Sequence, residues 1–357
     1  MTKQNKKPLR ITFLVAAIDN GGGSRVVAHY AEGLMRLGHS VLVVSPAPKS
    51  YGRLNNLLNA VIPNMRDQSP NHCARLGVPV ASLERYRAIT ASDVPDADVI
   101  IATWWETAIW LKNFPASKGK KVHFVQGYEL GNSIKDEIDA ALALPFPKIT
   151  ISKWLASILA GLDMPEPVIV PNGVDCELFT SRTRERLIRP TVGFVYTSDP
   201  LKGADIAFKA IEIAQRECPT LTAKVFGNSA PLSSFDTKKI TYKVSPSQKE
   251  LVEIYSSCTA WLFPSRQEGF GLPILEALAC GTPVIACPSG AAPEILANGG
   301  GSLLNTFQPE EMAGAIVKYV NMPDTVWSSV SSQASDIAKR SSWDISVEKF
   351  ERFLITC

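Results

Sequence analysis

Residues 266–284 read RQEGFGLPILEALACGTPV, and the organisation of the whole chain can be worked out from them. The apolar run AWLFPS (260–265) leads into the stretch and PVIAC (283–287) closes it. Runs of this kind, bounded by Gly and Pro, read as strands, and the segment between them has helical composition, so the passage is a strand–helix–strand unit of a parallel sheet. Pro273 suits the first position of that helix, where its missing N–H costs nothing. Glu276 then falls in the opening turn and Glu268 in the loop before it. Two carboxylates would flank a helix amino terminus, whose unpaired N–H groups and dipole favour an anion. Gly269 and Gly271 let backbone amides approach a ligand closely, and ionised carboxylates, being pure acceptors, suit paired sugar hydroxyls. The combination fits a nucleotide sugar. An isolated pair of glutamates at this spacing would be no more than two solvated groups on a βα loop.

The same alternation of short β-branched runs and helical segments extends in both directions. Towards the amino terminus, ITFLVAAI (11–18), a helix from about Ser24 to Leu37 and VLVVS (41–45) form one such unit. Val26, Val27, Tyr30, Leu34 and Leu37 supply the spacing of three and four, and Gly38 the stop. DVIIAT (98–103), KVHFVQ (121–126), KITIS (148–152) and VIVP (168–171) continue the series as strands. A polar, basic stretch, 171–190, reads as a linker, after which TVGFVY (191–196), TAKVFG (222–227), AWLFPS and PVIAC are strands with helices near 203–216, 247–257 and 273–280. The expected fold class is α/β: two Rossmann-like domains facing a central cleft, residues 1–172 and 173–340, followed by a C-terminal helix, 341–357, whose apolar face must be buried somewhere. The 357 residues suit two domains better than one core.

Composition narrows the function. A formal net charge of +3 is too small to imply a nucleic-acid partner, and none is expected. Seven cysteines without a C-x-x-C pair point to reduced thiols in a cytoplasmic protein. The longest apolar runs, such as WLASILAGL (154–162), fall far short of the ~18 residues that cross a bilayer. Lys3, Lys6, Lys7 and Arg10 make a basic tail that would suit peripheral contact at the inner face of a membrane, although such tails are more often simply solvated.

The string PSRQEGFGLPILEALACGTPVIA (264–286) resembles the signature of the retaining glycosyltransferases of family 4, whose GT-B fold pairs two Rossmann-like domains. Further matches follow in order: GGGSR (21–25), VPNGVD (170–175), Lys202-Gly203, VFGNS (225–229) and ELVEIYSSCTAWLFPS (250–265). The resemblance spans both halves and is weakest in the middle of the first. It implies transfer of a sugar from a nucleoside diphosphate sugar to a hydroxyl of a glycan or lipid-linked acceptor, as in polysaccharide biosynthesis, with retention and with no metal or other cofactor. By the same resemblance Glu276 would hold the donor ribose, Glu268 the transferred sugar, and the amides around Phe270, Gly271 and Leu272 the sugar and phosphates. Lys202 would bind the pyrophosphate, and Gly22, Gly23 and Gly227 would let backbone approach the donor. His123 is expected to be catalytic, with Gln126 and Glu129 binding the acceptor. The chain departs from the family at Thr197, where many members carry arginine; Arg266 or Arg25 is the expected replacement cation.

Two features point elsewhere. Asp96-Ala97-Asp98 has the form of a metal-binding D-x-D but precedes its strand, opposite to the edge where α/β ligands sit, and reads as a solvated turn. The glycines at 21–23 lack the G-x-G-x-x-G spacing and the ribose-binding acid of a dinucleotide site. His29, His39 and His72 read as ordinary packed or surface residues. The rival functions are a sugar-nucleotide epimerase of the same fold and a non-catalytic nucleotide-sugar-binding protein.

Overall fold

The structure, a computed structural model, describes residues 7–48, 71–128, 134–162, 164–180, 189–228 and 239–357. In chain order the strands and helices are β1 (Arg10–Leu14), α1 (Gly22–Arg36), β2 (Ser40–Ser45), α2 (His72–Arg75), β3 (Val80–Ser82), β4 (Val99–Ala102), α3 (Trp105–Leu111), β5 (Lys120–Val125), α4 (Lys135–Leu142), β6 (Lys148–Thr150), α5 (Lys153–Gly161) and β7 (Val168–Ile169). Then follow β8 (Thr191–Val195), α6 (Ala204–Glu217), β9 (Thr222–Gly227), β10 (Ile240–Val244), α7 (Gln248–Ser256), β11 (Ala260–Phe263), α8 (Leu272–Ala279), β12 (Val284–Ala286), α9 (Ala292–Ile295), β13 (Gly301–Leu303), α10 (Pro309–Val320), α11 (Asp324–Lys339) and α12 (Trp343–Thr356).

These elements form two compact units. Unit 1 comprises Met1–Ile151, Leu155–Val170 and Ser346–Cys357; unit 2 comprises Ser152–Trp154 and Pro171–Ile345. Each is a Rossmann-like α/β body built on one all-parallel sheet. In unit 1 the strand order is β3-β2-β1-β4-β5-β6-β7, and in unit 2 it is β10-β9-β8-β11-β12-β13. Both orders place the first strand of the unit centrally and reverse direction beside it, between β1 and β4 and between β8 and β11. The loops at the carboxyl ends of strands next to such a reversal are where open α/β sheets hold ligands.

Burial on both faces explains why the central strands read as continuous apolar runs. β4 and β11 are buried along their whole length, as Val-Ile-Ile-Ala and Ala-Trp-Leu-Phe. The core of unit 2 gathers Phe194, Ile206, Ala210, Leu262, Ile285, Met312 and Trp327. Trp327 also donates its indole N–H to the Thr259 carbonyl at 2.9 Å, so α11 is fastened to the foot of β11.

Unit 1 is completed by the end of the chain. The Phe350 ring of α12 lies 4.4 Å from that of Tyr30 and 5.1 Å from that of Phe124. A Cβ on Gly33 would stand 2.4 Å from Val347 Cγ2, so the glycine admits this helix against α1. Below the aromatic cluster His39 Nε2 lies 3.1 Å from Glu351 Oε1, while His39 Nδ1 accepts the Leu9 N–H at 3.0 Å. Accepting at Nδ1 puts the imidazole proton on Nε2, which therefore donates to the carboxylate. His39 is thus a buried fastener between β1, α1 and α12.

No helix among the described residues is long and apolar enough to cross a membrane. Asp96 and Asp98 face Lys118 and Arg10, each at 3.0 Å. These cations hold both carboxyls below their ordinary range, and the pair acts as turn anchors at the start of β4.

Candidate functional site

Three loops of unit 2 converge, and small local devices hold each of them. The loop after β8 turns through Thr197, whose hydroxyl accepts the Asp199 N–H, and Asp199 in turn accepts from the Leu201 amide at 2.9 Å. A single turn, Pro200–Lys202, follows. It ends at Gly203, at φ +67°. A side chain at Gly203 would stand 2.1 Å from the Pro264 carbonyl oxygen, so the loop after β11 can lie directly against this turn only because residue 203 is glycine. Arg266 N and Gln267 N then both donate to the Leu201 carbonyl, at 2.8 and 3.3 Å. The outcome is that Lys202 and Glu268 meet: Nζ lies 2.8 Å from Oε1, with the side chains 33% and 20% exposed.

The helix after this loop begins one residue earlier than its proline indicates. Leu272 is its first residue, Pro273 its second, and Gly271, at φ +101°, its N-cap. The first turn has no acidic residue. Glu276 is therefore not at the amino terminus but a turn further in, 5% exposed, with Oε2 accepting the Tyr255 hydroxyl at 2.6 Å. Glu268 alone stands beside the helix start. The third loop, after β12, leans on the second: Ala291 N donates to the Phe270 carbonyl at 2.9 Å. Gly290, at φ +57°, leaves room for Glu268 Cβ, which an added methyl would approach to 2.9 Å. Phe270 itself is buried and serves as the loop's anchor.

Arg266 is held by other groups of unit 2. Its guanidinium makes a two-pronged pair with Asp205, at 2.8 and 2.7 Å, and donates to the Pro200 carbonyl at 2.9 Å. Asp205 lies in the first turn of α6 and is held below its ordinary range chiefly by that hydrogen bonding. Arg266 thus ties the Lys202 turn to the glutamate loop. Gly227, at the end of β9, permits another close approach: a Cβ there would lie 2.4 Å from the Tyr196 carbonyl oxygen and 2.5 Å from the Tyr242 hydroxyl.

In unit 1, Gly22 and Gly23 open α1 behind the N-cap Gly21, and nothing lies within 4 Å of where a Gly22 side chain would be. Gly23 is near Gln126, whose Oε1 would be 3.8 Å from an added Cβ. That amide oxygen is buried and has no hydrogen-bond partner among the described residues. His72 Nε2 lies 3.2 Å from the Asn20 carbonyl oxygen and steadies the loop that carries these glycines. Glu129 and Ser229 lie outside the described residues.

His123 does not fit a residue that touches substrate. It sits inside β5, 2% exposed, and burial, with a smaller effect of the Lys148 ammonium, lowers its imidazole from the ordinary 6.5 to about 3. Lys148, its neighbour in β6, is itself buried and donates to the Leu144 and Phe146 carbonyls at 2.8 and 3.0 Å. A neutral, enclosed ring beside a cation is a core residue.

Sequence reasoning missed Tyr255, Asp205 and Gly290. Tyr255 lies in the segment ELVEIY, and its helical spacing marks a core position but not a hydroxyl with a carboxylate partner. The Asp205–Arg266 pair spans 61 positions and has no local signature.

Known proteins share this fold. The model of the family described as Glycosyltransferase Family 4 matches residues 20–178, and that described as Glycosyl transferases group 1 matches residues 189–322. The chain is 29% identical over 212 residues to a D-inositol 3-phosphate glycosyltransferase of Corynebacterium jeikeium, a match covering 52% of this chain and 50% of that protein. It is 31% identical over 174 residues to the enzyme of that name from Acidothermus cellulolyticus, covering 42% and 39%. The chain thus spans half or less of the length of the curated relatives it matches. Among solved structures, HepE of Anabaena in complex with UDP and glucose superimposes with a TM-score of 0.73 at 17% identity, over 98% of this chain and all of that one. Sucrose-phosphate synthase of Thermosynechococcus elongatus gives 0.74 at 18%, over 97% and 98%.

Proposed function

The chain belongs to the family 4 glycosyltransferases of GT-B fold, and from that premise we propose that it transfers a sugar from a nucleoside diphosphate donor, with retention, to a hydroxyl of a glycan or lipid-linked acceptor. The observation that carries the reading is the meeting of Lys202 and Glu268 at 2.8 Å beside the start of α8. An ammonium, backbone amides and a carboxylate then stand within one small region, which is what a pyrophosphate joined to a sugar requires.

In this reading Lys202 takes the pyrophosphate with a charge-assisted bond, aided by amides of the loop 269–272. Glu268 exchanges its ion pair for hydroxyls of the sugar next to the anomeric carbon. Glu276 accepts from the ribose, and the glycine at 227 lets the donor pass close to the backbone. The acceptor is assigned to unit 1, through Gln126, and Gly22 and Gly23 let backbone approach the donor. The acceptor hydroxyl attacks the anomeric carbon on the face from which the diphosphate departs. The glycosidic oxygen bond to phosphorus is kept, the bond from the anomeric carbon to that oxygen breaks, and a leaving phosphate oxygen takes the hydroxyl proton. The protein contributes position and electrostatics, and no covalent intermediate is needed. Lys202 and the amides offset the diphosphate charge, so the reading needs no metal.

A panel of nucleotide sugars screened by thermal shift tests it, because a ligand bound only by the folded state raises the melting temperature. One member should raise it, and the shift should disappear in Lys202→Met. With that donor Glu268→Ala should lower kcat strongly, and Glu276→Ala should act mainly on KM for the donor. No shift with any member, and unchanged kinetics in both glutamate variants, would remove the reading.

A further inference from the structure

One hydroxyl close to this site is buried where no solvent can reach it, and the donor chemistry above does not employ it. Tyr255 is 0% exposed and carries its phenolic oxygen to 2.6 Å from Glu276 Oε2. That distance is in the short range of O–H···O⁻ bonds, which are roughly twice as strong as neutral ones. The tyrosine ring cannot swing. The Trp261 ring lies 4.4 Å away at 59°, and Phe226 and Phe179 meet the Tyr255 ring edge to face, both at 6.0 Å. Its backbone is held as well, since the buried Thr282 hydroxyl donates to the Tyr255 carbonyl at 2.7 Å. α7 is in turn fixed at its start by a capping box between Ser247 and Glu250.

The two partners differ in freedom. A glutamate has three side-chain torsions and a carboxylate that can rotate about the last of them, whereas the tyrosine hydroxyl is set by a ring already packed on several sides. The direction of information therefore runs from Tyr255 to Glu276. Fixing one carboxylate oxygen fixes the plane of the group and the approach open to a hydroxyl donor.

We propose that Tyr255 is a positioning residue for Glu276, and that this buried pair sets how strongly the site prefers a ribose over a sugar lacking one of the paired hydroxyls. The proposal rests on the reading of Glu276 as the ribose ligand. It goes beyond that reading by making nucleoside selection depend on a residue that never touches the donor. The bond acts on binding and leaves the bond-breaking step alone, so its removal should change donor KM and not kcat.

The test uses the full chain and compares UDP, GDP and ADP with their 2′-deoxy counterparts by titration calorimetry. Wild type should bind the ribose form of its preferred nucleotide about tenfold more tightly than the deoxy form, the scale of one hydrogen bond to a charged group. Tyr255→Phe keeps the ring and should narrow that ratio to about threefold or less, with affinity for inorganic pyrophosphate unchanged. Glu276→Ala should abolish the ratio. A Tyr255→Phe protein with the wild-type ratio, set against a Glu276→Ala protein that has lost it, would overturn the proposal and leave the donor reading standing. A Glu276→Ala protein that keeps the ratio would overturn both. If Tyr255→Phe does not fold, because a buried carboxylate is left short of a donor, Glu276→Gln and the Glu276→Gln/Tyr255→Phe pair replace it. The pair should show a smaller ratio than Glu276→Gln alone, and equal ratios would sink the idea.

Discussion

Lys202 Nζ and Glu268 Oε1 stand 2.8 Å apart, so the cation proposed for the phosphates and the carboxylate proposed for the sugar neutralise one another before any donor arrives. Both are partly exposed, and a pair of this kind is worth only about 0–1 kcal/mol. It is weak enough to be exchanged and close enough to keep both groups in place. A free nucleoside diphosphate can replace only the Lys202 half of the exchange. Glu268→Gln should therefore bind UDP, or whichever nucleoside diphosphate wild type prefers, a few-fold more tightly while turning over poorly. Lys202→Met should weaken that binding by about tenfold or more, and the double variant should match Lys202→Met within error. Calorimetric titration of the four proteins checks the cycle, and strict additivity would contradict it.

The second prediction separates two roles for Arg266. Its bond to Asp205 fastens the Lys202 turn, and if that is its role then Asp205→Asn should weaken nucleoside diphosphate binding in the same direction as Arg266→Ala. Were the guanidinium instead a phosphate ligand restrained by Asp205, freeing it would strengthen binding. Measured affinities of the two variants, opposite or alike in sign, decide between these roles.

Glycines should differ sharply in what they tolerate. Gly203→Ala adds a methyl at φ +67° with the Pro264 carbonyl 2.1 Å away, and should cost about 2–3 kcal/mol. Gly314→Ala, inside α10 with nothing within 4 Å, should stabilise by about 0.4–1 kcal/mol. Urea unfolding midpoints at constant slope measure both.

Acid sensitivity should trace in part to His123. Between its folded value of about 3 and the ordinary 6.5, the unfolded chain binds a proton that the folded chain does not. Stability therefore falls as pH drops below about 6.5 and this contribution levels off below about 3, with a slope of about 1.4 kcal/mol per pH unit at most. His123→Leu should lose that part of the acid limb, whatever it does to stability at pH 8. Parallel urea titrations at several pH values, wild type against variant, reveal the difference in slope.

The parts of this protein that were legible beforehand are those in which local pattern and burial agree. The central strands β1, β4, β8 and β11 are buried on both faces and are readable as runs, whereas Gly203 is legible only as half of a Lys-Gly pair, and its contact with Pro264 is not. Strands β10 and β13 were not readable. β10 is an edge strand whose residues are at most half-buried, and β13 has only three residues, so neither carries a hydrophobic signal. The same double burial that exposed the central strands concealed the direction of their side chains. In β5 the last four residues are all buried, and nothing in KVHFVQ distinguishes a histidine in the core from one at the ligand edge. Glu276 shows a further limit. Sequence put it in the opening turn of its helix, whereas it lies a turn further in, and only the fold supplies Tyr255 as its partner. Thr197 stands where many family members carry arginine, and in the structure its hydroxyl forms a turn by accepting the Asp199 N–H.

Phe350 fills the space among Phe13, Tyr30 and Phe124, so unit 1 closes around a segment that lies beyond unit 2 in the sequence. Without 346–357 unit 1 would hold an open aromatic socket, while unit 2, which ends at Ile345, would keep every one of its segments. A chain truncated after residue 345 should accordingly show protease-resistant unit 2 and protease-sensitive unit 1, and a synthetic peptide covering 346–357 supplied in trans should protect the latter. Equal resistance of both units in the truncated chain would show that the socket closes by itself.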